Sequence, residues 1–148
     1  MCVLTGDPTQ PFLPHGEIMA ASPMGYLLTP LIQSRIDAVV GMELERTVHL
    51  QGANVVVSMV DTSGKLSQTM QFTALFSGSV APLGTVNVAF EAIPAALLNV
   101  GTTTEMNANV VVFGTLGGGR IDGEPFDFPV TVCTNCTLTG NPCNPSQH

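Results

Sequence analysis

Four cysteines carry the most specific chemistry in this sequence. Cys133 and Cys136 form a C-x2-C pair, Cys143 follows, and His148 lies beyond it. Thiolates two residues apart can converge on one tetrahedral ion, so Cys133, Cys136, Cys143 and His148 are the candidate metal set. The pattern lacks a second C-x2-C, His148 is the terminal residue, and the intervening Thr-Leu-Thr-Gly-Asn-Pro is turn-rich. A redox C-x-x-C needs a helix N-terminus to depress the thiol pKa, and here the motif follows strand-like sequence. Structural disulfides among Cys133, Cys136 and Cys143 are therefore the expected use, and they require an oxidising compartment. With Cys2 included, four cysteines allow three connectivities, and the choice stays open.

The other polar candidates fit no reaction. His15, His49 and His148 have neither His-x-x-x-His nor His-Glu-x-x-His spacing, so they define no metallopeptidase site. Asp122, Glu124 and Asp127 surround one expected hairpin without the regular spacing of a calcium loop, and a solvated acidic turn is the expectation. Gly117-Gly-Gly119 is not followed by Lys-Ser/Thr and is no phosphate loop. No serine sits in a Gly-x-Ser-x-Gly elbow. The chain is expected to be non-enzymatic, with no cofactor.

Charge narrows the partners. The 148 residues carry a net charge of −7 and only four Lys and Arg, so no basic stripe exists to neutralise a phosphate backbone and nucleic acid is excluded as a partner. No apolar run reaches the length of a membrane-spanning helix. Cys2 directly follows Met1, and a cysteine at a mature N-terminus is where bacterial lipoproteins are acylated, which makes Cys2 the lipidation candidate. Membrane contact is expected only through that anchor. If Cys2 is acylated, one of the other three cysteines stays free or pairs between chains; otherwise Cys2 can tie the N-terminal arm to the C-terminal tail.

The elements that must position these residues are strands. Hydrophobic residues make up 45% and charged residues 10%, and the abundance of Val, Thr and Gly is a strand-and-turn vocabulary. Residues 1–15, with Pro8, Pro11 and Pro14, read as an extended arm. Residues 16–133 read as a sandwich domain, and residues 134–148 as a cysteine-containing tail. Strands are expected at Glu17–Ala21 and at Tyr26–Ile36, the latter an edge or bulged strand because of Pro30. Leu44 to Val60 reads as one long strand with a bulge near Gly52, or as two strands. Further strands are expected at Met70–Val80, Val86–Ile93, Met106–Thr115 and Phe126–Cys133. The last points Phe126, Phe128, Val130 and Val132 inward. Pro94–Asn99 is the one expected helical turn, Gly117-Gly-Gly119 is expected to be flexible, and Asp122-Gly123 is a turn signal. The sum is an all-β antiparallel sandwich of seven to nine strands, immunoglobulin-like in shape, with at most one short helix.

The stretch from Gly114 to Cys136, which ends in Phe128-Pro-Val-Thr-Val-Cys-Thr-Asn-Cys136, resembles the end of uncharacterised secreted lipoproteins of myxobacterial type. Tyr26-Leu-Leu-Thr-Pro-Leu-Ile32 and Ile93-Pro-Ala-Ala96 are similar to them too. The resemblance implies a cell-surface location and a lipid on Cys2, and brings no activity or catalytic residues with it. The expected function is a structural or interaction module at the outer cell surface, in the extracellular space or in the periplasm, which binds a protein partner or its own copies. The alternative is a small metal- or cofactor-holding protein using the C-terminal cysteines. A sugar-binding sandwich is disfavoured, because Tyr26 is the only Tyr and there is no Trp to stack on a pyranose ring.

Overall fold

Alternating segments fold as strands where one face finds a core to cover. The computed structural model describes residues 15–135. They form β1 (Gly16–Met19), β2 (Tyr26–Leu28), β3 (Leu31–Gln33), β4 (Val48–Val60), β5 (Leu66–Val80), β6 (Thr85–Asn87), β7 (Phe90–Ile93), β8 (Thr104–Leu116), β9 (Gly119–Asp122) and β10 (Phe126–Cys133), with a 3-10 turn at Ala95–Leu98. The chain is an all-β, sandwich-like fold, as its composition and patterning imply.

One layer is a large sheet in the order β1-β10-β8-β4-β5. β9 also pairs with β8, through Phe113–Leu116, beyond the Thr104–Val110 stretch that pairs with β10. Among the described residues only the β1–β10 pair is parallel. The second layer is a narrow ribbon in two pieces, β2–β7 and β3–β6. Pro30 explains the interruption: it has no N–H to give a ladder, although its carbonyl still accepts from Val88 N at 3.3 Å. Tyr26–Ile36 thus becomes two short strands, and the single strand expected over Val86–Ile93 is likewise divided into β6 and β7.

The core lies between the layers. Val55 and Val57 of β4, Ala108 and Val110 of β8, Val130 and Val132 of β10 and Ile18 of β1 are fully buried, and they meet Ala92, Ile93 and Leu98 from the other side. Two aromatic pairs fasten the ribbon near the flanks of the large sheet. Phe76 of β5 stacks on Phe90 of β7 with centroids 5.4 Å apart, and Tyr26 of β2 lies 5.8 Å from Phe128 of β10, contacts that add to the burial of the rings.

Gly52 marks a bulge within one strand. The register of β4 shifts against both β5 and β8 between Leu50 and Gly52, so Gln51 and Gly52 together oppose single partners on β8. β4 starts later than the alternation from Leu44 implies. Arg46 N donates to Met42 O and Thr47 N to Leu44 O, which folds residues 42–47 into turns and leaves Leu44 87% exposed. Asp61 pins the β4–β5 hairpin, because its Oδ1 accepts from the Ser63 amide and hydroxyl and from Lys65 N.

Two expected loops take other forms. Gly117 and Gly118 have φ of 57° and 83° and close a tight β8–β9 hairpin with Leu116 opposite Gly119. These are the left-handed conformations that two-residue hairpins demand and glycine supplies. The Asp122-Gly123 signal makes no hairpin. Gly123 N donates to Val112 O at 2.7 Å, and the chain jogs from β9 into β10 along the same side of β8.

Candidate functional site

The cysteine and histidine candidates fall mostly outside the described residues: Cys2, Cys136, Cys143 and His148 all do. Cys133 ends β10 and is disulfide-bonded, to a partner outside residues 15–135. A sulfur in a disulfide is not a thiolate and offers no anionic ligand to a metal. Among the described residues no group of three or more His, Cys, Asp or Glu side chains is arranged to hold a metal ion.

The acidic residues near the jog part company. Asp122 Oδ1 accepts from Arg120 Nε at 3.0 Å, and Arg120 also lies over the Phe113 ring, 4.6 Å from its centroid. Glu124 sits 3.9 Å from Arg35, both side chains being almost fully exposed, so that pair adds little. Asp127 turns to the outer face of the large sheet, where its Oδ1 accepts from Asn107 Nδ2 at 3.0 Å and Asn109 Nδ2 at 2.9 Å.

Those two amide donors hold the Asp127 carboxyl below the ordinary carboxylate range, because they favour the charged form. A carboxylate whose pKa is lowered by folding contributes stability above its unfolded pKa and loses it as pH falls through its folded one. Asp127 is exposed, so the contribution is at most about 1 kcal/mol. Asp127→Asn is expected to lower the urea midpoint slightly at pH 7, with the difference from wild type vanishing in acid below the folded pKa. A gap of the same size at pH 2.5 and pH 7 would show that these hydrogen bonds do not discriminate the ionised form.

The same face carries the two described histidines. Thr131 Oγ1 donates to Glu105 Oε1 at 2.7 Å, and His15 Nε2 lies 2.9 Å from Thr131 Oγ1. His49 Nδ1 lies 3.3 Å from Ser79 Oγ. These are cross-strand pairs on an exposed sheet surface, the geometry that stabilises a sheet, and neither stands in a cavity that would orient a substrate.

A cleft of about 570 Å³ opens at the side of the sandwich, a size in the usual range for binding sites. Its floor is Val48, Leu50, Val80 and Val112, all nearly buried. Ile32 and Ile36 wall it from the ribbon, and Ile121 and Phe126 from the large sheet. Polar groups stand among its lining: Ser34, Arg35, Asp122 and Glu124. The buried Ser34 hydroxyl accepts from Ile36 N at 3.2 Å. The lining is able to desolvate an apolar group and contains no His or Cys to act on it. Of the strands that line it, β3 pairs with β6 and β9 with β8, so among the described residues each has one edge without a ladder partner.

Sequence reasoning missed this cleft, since its two walls lie some ninety positions apart along the chain. The available signals were Pro30 and the Gly123-Glu-Pro125 break, which interrupt strands on opposite sides of the opening.

No protein-family model, curated protein or solved structure matches the chain. Fold and site alone therefore define its class, a disulfide-bearing, sandwich-like all-β fold with an apolar cleft lined in part by β3 and β9.

Proposed function

We propose that this chain is a non-enzymatic interaction module of the cell surface or extracellular space, which receives an extended apolar segment of a protein partner in its side cleft. The observation that carries this reading is that β3 and β9, each paired on one side alone among the described residues, both contribute to a cleft with an aliphatic floor. Backbone pairing to such an edge gives affinity, and alternate side chains directed at the floor give selectivity. The next loop adds contact surface, because Val40 and Leu44 are 99% and 87% exposed. The disulfide on Cys133 supports an oxidising location, and the lipoprotein-like ending supports an anchor on Cys2. The metal-holding alternative draws no support from Cys133, whose sulfur is oxidised.

Screening a library of extended, alternately apolar peptides by amide chemical shifts tests the reading. The expected result is perturbation centred on Leu31–Gln33 and Ile121–Glu124, with at least ~tenfold weaker binding by Ile121→Lys, because it replaces an apolar wall of the cleft with a solvated charge that an apolar segment would have to desolvate. Shifts centred elsewhere, or unchanged affinity in a folded Ile121→Lys variant, would reject the cleft as the site.

A further inference from the structure

The large sheet has a second open side, independent of the cleft. Among the described residues β5 pairs with β4 alone, so its fifteen residues Leu66–Val80 form an edge. Natural edges of this length are usually blunted by charge or proline, and β5 contains neither. The charge distribution singles out this flank. Residues 62–90, which include β5 and β6, hold none of the eleven acidic residues and only one charged side chain, Lys65. The opposite edge carries Glu17 on β1, with Glu105 and Asp127 on the neighbouring strands β8 and β10, and the cleft side carries Asp122 and Glu124. Two molecules of charge −7 repel least where both present an acid-free surface.

We propose that a second copy of this chain occupies the edge, its β5 running antiparallel to the first about a two-fold axis at Thr73. Register limits the contact. β5 shifts against β4 between Val57 and Ser58, and again between Leu50 and Gly52, so its uninterrupted ladder is Met70–Leu75. About Thr73, Thr73 of one copy faces Thr73 of the other, Gln71 faces Leu75, and Phe72 faces Ala74. Every pair then shares a sheet face, as antiparallel neighbours must. Thr–Thr pairs are favourable and no like charges meet. Leu75, 80% exposed in the single chain, gains cover. A ladder this short makes a small, isologous interface, so the dimer dissociates readily on dilution.

Sedimentation of the full chain between ~1 and ~300 μM, a range suited to an interface of low-end size, tests this. The mass is expected to rise from 15.4 kDa towards twice that value. Thr73→Lys places two ammonium groups across the axis and is expected to remain monomeric, as is Thr73→Glu, with unchanged circular dichroism. Mixing the two variants in equal amounts is expected to restore the dimer. A wild-type monomer at every concentration overturns the proposal. So does undiminished dimerisation of Thr73→Lys, a mixture that stays monomeric, or a dimer that survives detergent until reductant is added. Ile121→Lys leaves this edge untouched, so failure of the cleft reading and failure of the dimer are separately visible.

Discussion

Gly114→Ala is expected to lower stability by ~3 kcal/mol or more, and Gly114→Val to prevent the native sheet from forming, because strain of this kind consumes much of the ~5–15 kcal/mol that holds a domain folded. A Cβ built on Gly114 would lie 2.3 Å from the His49 carbonyl oxygen and 3.0 Å from the His49 carbonyl carbon. The obstacle is backbone, so no rotamer change relieves it. At the same bulge, a Cβ on Gly52 would meet Ala74 O at 2.3 Å. β4 lies between β8 and β5 in the large sheet, and these glycines let its bulged segment approach β8 on one side and β5 on the other; relief on either side breaks a ladder. Gly101 is the control, since a Cβ there meets nothing within 4 Å, and Gly101→Ala is expected to be neutral or mildly stabilising. Urea unfolding of the three variants is the measurement. An unshifted midpoint for Gly114→Ala would show that the strands do not approach as closely as described.

Leu98→Ala is expected to cost about 2–5 kcal/mol, the range for a leucine truncated in a core that cannot collapse around the void. For a chain of this size that is a fall of roughly 10 °C in Tm. Leu98 is fully buried in the 3-10 turn and packs in the main core. Its carbonyl is also committed, accepting from Ala21 N and Val100 N at 2.8 and 2.9 Å, so the residue is fixed from both backbone and side chain. Leu97, only half buried one position earlier, is expected to lose less on the same truncation. Calorimetric melting distinguishes them, and equal losses would mean that Leu98 is no more central than its neighbour.

Much of the fold was legible locally. β10 alternates as Phe126, Phe128, Val130 and Val132 imply, because two-residue periodicity directly encodes which side chains share a face. The turn at Ala95–Leu98 follows Pro94, which suits a first helical turn. The errors lie where alternation was present but burial was not. Leu44 and Arg46 continue the pattern of Val48 and Leu50, yet turn hydrogen bonds hold them outside any ladder. At Gly117 and Gly118 glycine was read as freedom, whereas both residues use their positive φ to close a tight hairpin.

The sequence by itself determined an all-β chain, the location of its longer strands and the inward face of β10, because periodicity, proline and turn chemistry act over a few residues. Only the tertiary structure decided where strands stop having neighbours. The cleft between Pro30–Ile36 and Ile121–Phe126 and the acid-free edge at β5 both arise from strand order, which follows from packing two layers over one core. Strand order joins residues far apart in the chain, and no local pattern records which of their edges will be left open.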